Sequence, residues 1–252
     1  MRLAIKILTI LGLSLVVLVP VTMIRGTVQD RQRYRTEAVE EVARSTAGPQ
    51  TLAGPVLLVP YCDTTVFLLK DANGKPRREV AEQSGTLVFF ADDLALKGEM
   101  RSLPRMRGLH EVRVFELDST LSASFRLTVP RPKDAGTTRV LGEPVLGIGI
   151  SDVRGFVGAP ALHVSGRPVA LQQGAGRGNA AGVHATLRAP QLDEPMAFDV
   201  EFRSVLQGTE NLAVAPLAAR NRIAIASPWP HPLFHGDFLP RHLDMHAAGD
   251  GA

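Results

Sequence analysis

Leu121-Ser122-Ala123-Ser124-Phe125-Arg126-Leu127-Thr128-Val129 alternates apolar and polar residues without a break. Successive side chains on a strand point to opposite faces, so this period of two predicts a strand with one face in a core and one in water. Pro130-Arg131-Pro132 stops it, because proline cannot donate to a ladder. Working outward, residues 94–100 and 111–117 carry the same signal, with Val112 and Val114 on one face and Phe115 on the other. Residues 56–61, 64–70 and 85–91 are rich in apolar and β-branched side chains, and Asn73-Gly74 marks a turn between the last two. Further strands are predicted at 145–150, 161–164, 183–187, 196–206, 212–215 and 222–226, and a flexible glycine-rich loop at 174–182. Many short strands without regular intervening helices predict a mainly β fold, an antiparallel β-sandwich-like domain over residues 48–240.

Ahead of that domain the pattern is different. No residue from Ile7 to Ile24 is charged. Such a run spans roughly 27 Å as a helix, close to the roughly 30 Å of a bilayer core. It exceeds the usual apolar run of a signal peptide, about 7–15 residues, and Val19-Pro20-Val21-Thr22-Met23 offers no A-x-A-like cleavage site. Residues 1–26 are therefore expected to be an uncleaved transmembrane anchor, with Lys6 and Arg25 reaching the interfaces. Residues 27–47 read as an amphipathic stalk helix continuing from it. Tyr34, Ala38 and Val42 recur at four-residue spacing beside Val39 and Ala43, Glu40 and Arg44 are spaced to pair, and Gly48-Pro49 ends the helix. Basic residues flank both ends of the span, so charge bias does not decide its orientation.

Composition bounds the function. The 252 residues are 45% hydrophobic and 21% charged, which is globular rather than disordered. A net charge of +3, scattered basic residues and 5% aromatics argue against a nucleic-acid surface. The cluster Arg25, Arg31, Arg33 and Arg35 suits the head groups of membrane lipids. Cys62 is the only cysteine, so no intrachain disulfide can form, and it is expected as a small apolar residue in a strand.

No catalytic constellation is visible: G-x-S-x-G, the P-loop and H-E-x-x-H are all absent. Gly174-Ala175-Gly176-Arg177-Gly178 has Asn179 where a dinucleotide fingerprint needs its third glycine, and reads as a turn. Asp152-Val153-Arg154 is spaced for a structural ion pair. The densest stretch is 227–240, which holds Trp229, His231, Phe234, His235, Asp237 and Phe238 among four prolines. Prolines 228, 230 and 232 exclude a helix. The extended, aromatic segment suits packing or docking, through Trp229, His231, Phe234, Asp237 and Phe238. His231, His235 and Asp237 are weak metal candidates, and a metal-assisted hydrolase using them is the rival reading. Asp237 beside Gly236 is expected to accept backbone hydrogen bonds in a turn. No cofactor is expected, and residues 241–252 read as a flexible tail.

Three stretches taken together resemble a known family. They are Arg31-x-x-Tyr34-Arg35 leading to Ser45-Thr46-Ala47-Gly48-Pro49-Gln50-x-Leu52-x-Gly54-Pro55, then Gly149 through Gly155, then Trp229-Pro230-His231-Pro232-x-Phe234-x-Gly236-Asp237-Phe238-Leu239-Pro240. In this order behind an anchor they resemble the CreD family of bacterial inner-membrane proteins. The resemblance implies a β-rich periplasmic domain on an inner-membrane anchor, a contribution to cell-envelope integrity and colicin tolerance, and no established catalytic activity. The expected partners are inner-membrane lipids and an envelope protein or lipid-like ligand met by the β-domain near the membrane. The resemblance also implies C-terminal membrane helices. No second hydrophobic run follows up to Ala252, so a fragment or a truncated relative is expected, and a purely structural stalk for such helices is a third reading.

Overall fold

The computed structural model describes residues 2–70, 76–108, 110–176, 178, 180–229 and 232–242. A single helix, α1 (Arg2–Ser45), opens the chain. The strands are β1 (Gln50–Lys70), β2 (Pro76–Phe90), β3 (Asp93–Arg107), β4 (His110–Thr128), β5 (Thr137–Leu141), β6 (Val145–Ile150), β7 (Ala161–Val164), β8 (Arg167–Val169), β9 (Gln172–Gln173), β10 (Gly182–Thr186), β11 (Pro195–Thr209), β12 (Leu212–Ala215) and β13 (Arg220–Ala226). A 3-10 turn at Val153–Gly155 separates β6 from β7. The anchor and the stalk are thus one continuous 44-residue helix, which by length and composition can cross a membrane. Leu13, Leu15, Val16 and Met23 on it are all more than half exposed, as lipid-facing residues are.

Two sheets form the domain. One runs β12-β1-β6-β10-β9, with β2 and β5 paired to β1 farther along its length; the other runs β13-β3-β4-β11-β7-β8. Only β1–β12 and β3–β13 are parallel among these strand pairs. The core lies between the sheets. Leu57, Val59, Leu146 and Ile148 come from the first and Leu96, Leu121, Phe125 and Phe202 from the second. Phe125 stacks on Phe198 with ring centroids 4.8 Å apart. The alternation at 121–129 is realised as expected: all five apolar residues are buried, and Ser122, Arg126 and Thr128 are exposed.

Several strands are longer than their sequence signal. β4 runs unbroken through Asp118-Ser119-Thr120, where the apolar pattern lapses. Ser119 takes a core-facing position, and its hydroxyl donates to the Ser204 carbonyl at 3.4 Å. β1 likewise runs through Cys62-Asp63. Arg139 lies over the Tyr61 ring at 4.1 Å and donates two bonds of 2.7 Å to the Asp63 carboxylate, so a charge is accommodated inside a sheet. Cys62 is half-buried there.

The stalk docks by part of its expected stripe. Ala38 and Val42 are buried against Val112 and Val114, with Val39 and Leu103 beside them. Tyr34 stays 54% exposed, under the Arg33 guanidinium. Glu40 and Arg44 do not pair with each other; along the helix Arg33 pairs with Asp30 and with Glu37. Because Val112 and Val114 face α1 while Phe115 and Leu117 face the interior, this part of β4 is buried on both sides.

The Asp63–Arg139 pair has a pH signature. The guanidinium hydrogen bonds hold the Asp63 carboxyl below its ordinary value of 3.8. A carboxyl depressed in the folded state contributes stability above its unfolded value and loses it as pH falls through the native one. Chemical denaturation at a series of pH values should therefore show Asp63→Asn less stable than the parent at neutral pH. The difference should shrink as pH drops below about 4.

Candidate functional site

The motifs that stood apart in the sequence meet where α1 enters the sandwich. The helix closes on itself first: the Ser45 and Thr46 hydroxyls both donate to the Val42 carbonyl, at 2.9 and 2.7 Å. Thr209, at the end of β11, then takes hold of the linker. Its hydroxyl donates to the Ala47 carbonyl at 2.7 Å and its N–H to the Gly48 carbonyl at 3.2 Å. Next comes Gln50, only 1% exposed. Its Nε2 donates to the carbonyls of Asp152 (3.1 Å) and Gln207 (3.2 Å), and its Oε1 accepts from the Asp152 N–H at 3.4 Å. Both amide protons and the amide oxygen are thus used, as a buried glutamine requires.

Ser151 ties the same corner, donating to the Pro49 carbonyl and accepting from the Thr51 N–H, both at 2.9 Å. The expected Asp152–Arg154 ion pair forms, at 2.6 Å, and Arg154 holds the Asp152 carboxyl below its ordinary value. Arg154 also donates to the Arg44 carbonyl at 3.4 Å. A β-carbon on Gly155 would sit 2.3 Å from the Gln207 oxygen and 2.6 Å from Gln50 Nε2, and one on Gly208 would strike the Phe115 ring. The corner closes only because both positions are glycine. Beside it lies a shallow cavity of about 290 Å³ lined by Glu40, Ala43, Arg44, Gly48, Asp152 and Arg154.

Trp229 brings the last motif to this corner. It is half-buried and meets Phe115 edge-on, with centroids 6.2 Å apart at 82°. Ser227 fixes it from behind, accepting from the Trp229 N–H at 3.2 Å. The other docking candidates are not gathered around it. Phe234 is 46% exposed and Phe238 81%, and His235 and Asp237 are exposed too. His231 lies outside the described residues. The Asp237 side chain has no hydrogen bond among the described residues, which corrects the expected turn contact; an exposed carboxylate is solvated without one. Among the described residues, no group of three or more His, Cys, Asp or Glu side chains could hold a metal ion. Because β13 runs parallel to β3, towards Met100 and the strand ends on which α1 sits, the chain leaves the sandwich at its anchored end.

Sequence reasoning missed a second concave feature. On the outer face of the second sheet, Ala95, Ser122 and Ser124 floor an open groove of about 540 Å³. Arg222 stands on one side, and Asp199, Glu201 and His163 on the other. The His163 Nδ1 is buried there without a hydrogen-bond partner among the described residues. The available signal is the run of small outward residues in 121–129, which by itself reads only as the wet face of a strand.

The match to known proteins agrees with this organisation. The family described as "Inner membrane protein CreD" matches residues 2–252. The chain belongs to the CreD family. Inner membrane protein CreD of Escherichia coli (strain K12) is 28% identical over 253 residues, which cover 97% of this chain and 53% of the relative. This chain therefore spans about half the length of that CreD protein. No solved structure matches. Parts of the first two stretches that carry the CreD resemblance meet at the junction, and of the third the described residue that reaches it is Trp229.

Gln50→Ala should destabilise this CreD domain by about 1–3 kcal/mol, since it strands buried backbone acceptors. Arg107→Ala, which removes an ion pair to Glu41 that is exposed on both sides, should cost under about 1 kcal/mol. Denaturation followed by emission of the sole tryptophan, Trp229, reads both.

Proposed function

We propose that this CreD-family protein is a non-enzymatic component of the bacterial inner membrane whose β-domain stands in the periplasm and supports envelope integrity by binding. What supports this reading most is the segment beyond Trp229. Leu233, Phe234, Phe238 and Leu239 are 84%, 46%, 81% and 59% exposed on a proline-rich stretch that leaves the domain at its anchored end. Large aromatic groups on a stiff backbone gain contact area with little ordering cost, which suits a docking element. The partner would be an envelope protein or lipid met close to the membrane. Inner-membrane lipids would be contacted by the basic residues that follow the span.

A photo-crosslinking residue at Phe238, in cells, tests the binding. A discrete adduct that is missing with the crosslinker at exposed Leu68, far from the junction, is the expected outcome; identical labelling at both sites would refute it. Placement is read with Arg241→Cys in a Cys62→Ser background, labelled by a membrane-impermeant maleimide on cells with permeabilised outer membranes. Labelling without inner-membrane lysis is expected. Thermal melting with and without zinc addresses the rival hydrolase: a zinc-dependent rise in melting temperature that His235→Ala abolishes would reverse the non-enzymatic reading.

A further inference from the structure

We propose that two copies of this chain pair through the free edge of β2, antiparallel and in one register, with Val80 of each copy on the two-fold axis. The inference goes beyond the docking reading above and uses none of its residues. The β1–β2 hairpin outruns the rest of the sandwich. β5 supports β1 only from Tyr61 to Thr65, and the Val66 N–H still donates to the Gly136 carbonyl. Past that point Phe67 to Leu69 pair with Arg77 to Glu79 alone among the described residues. Phe67, Leu68, Leu69 and Val80 are 47%, 79%, 49% and 54% exposed. A two-stranded ribbon is marginal in water by itself, and this one shows apolar groups on both faces.

β2 has no partner other than β1 among the described residues, so its outer edge is open from Pro76 to Phe90. A row of unpaired N–H and C=O groups is satisfied by an extended backbone and by little else. The side chains say which backbone fits. With Val80 opposite Val80, Arg78 of each copy faces Glu82 of the other. Residues 78, 80 and 82 share one face, and Val66, the cross-strand neighbour of Val80, extends that face as an apolar row across the axis. Slipping the register by one residue either sets Glu79 against Glu82 or sets Val80 against Glu79. Neither Arg78 nor Glu82 has an ion-pair partner within its own chain among the described residues. Pro76, which lacks a donor, falls at the end of the paired stretch, opposite Ser84.

The product is a four-stranded ribbon, β1-β2 of one copy continued by β2-β1 of the other. Its paired edge is short, so the contact is weak for free molecules and is favoured by confinement of both copies in one bilayer. Its two-fold axis is perpendicular to the ribbon, so the ribbon lies flat over the membrane when both anchors enter the same bilayer.

Cysteine crosslinking of the full chain in membranes tests this, in a Cys62→Ser background verified to melt like the parent. Facing residues in an antiparallel pair have Cα atoms about 4.5–5.5 Å apart, within disulfide reach. Val80→Cys is expected to give a reducible dimer on mild oxidation. Thr86→Cys, on the same face but outside the paired stretch, is not. Adding Arg78→Glu to Val80→Cys should lower the crosslinked fraction about tenfold, since it sets like charges opposite each other twice per dimer. Adding Glu82→Arg as well should restore it. Absence of the Val80→Cys dimer, equal crosslinking at 86, failure of the charge swap to restore it, or adducts of Val80→Cys to a different protein would each overturn the proposal.

Discussion

The side-chain amide of Gln50 is the contact on which the join between membrane helix and sandwich depends. It reaches two backbone carbonyls contributed by distant parts of the chain, Asp152 in the 3-10 turn and Gln207 in β11. The Gln50 backbone N–H is spent elsewhere, on the Asn211 carbonyl, so the side chain supplies these contacts. Gly155 and Gly208 have to lack side chains, since a β-carbon on the first would meet the Gln207 carbonyl and the Gln50 amide, and one on the second the Phe115 ring and the Gln50 side-chain stem. The crowding around one buried polar residue thus excludes side chains at two glycines, and hydrogen bonds from Thr209 and Ser151 to the carbonyls of Ala47, Gly48 and Pro49 fix the linker to the body of the sandwich.

Burial reinforces that body from the other face. β4 serves two apolar clusters at once near its start, Val112 and Val114 under α1 and Phe115 with Leu117 inside. Phe115 in turn receives Trp229. A perturbation at the helix therefore has a continuous packed route through one strand to the point where the chain departs. The exposed ion pair of Arg107 with Glu41 adds little by comparison, because solvent screens it. Orientation of the stalk rests on the buried alanine and valine and on the amide, not on surface charge.

Strand existence was legible wherever alternation was uninterrupted: β7 and β12 have the bounds their sequence suggests, and the 121–129 pattern maps onto the core residue by residue. Legibility failed where a polar residue took a strand position for a specific partner. Ser119 and Asp63 broke the pattern, yet each is satisfied by a group more than 70 residues away, Ser204 and Arg139. Edge strands such as β5, Thr137-Thr138-Arg139-Val140-Leu141, and β8, Arg167-Pro168-Val169, were missed because they carry few apolar residues and no clear alternation, whereas the equally short β7 and β12 are mostly apolar. The junction was legible as motifs but not as a site. Nothing in Gln50 or Gly155 alone announces that they touch, and the stripe on the stalk overreached to Tyr34 because helical spacing cannot say where the partner surface ends.

The same reasoning explains why this domain can carry apolar groups at both extremes without losing its fold. Its stability comes from the sandwich interior and the junction, and neither uses the hairpin beyond Thr65 or the chain beyond Trp229. The described residues of those two regions, with Leu68 and Phe238 at 79% and 81% exposed, thus contribute nothing to the apolar clusters that hold the fold. Exposed large side chains that stabilise nothing internally cost solubility. They also leave at opposite ends: β1 starts at Gln50 beside the helix and runs 21 residues away from it, while β13 leads back towards the helix. The two apolar elements therefore sit on opposite sides of the sandwich interior, one beside the helix that can cross a membrane and one remote from it, and neither depends on the other for its place in the fold.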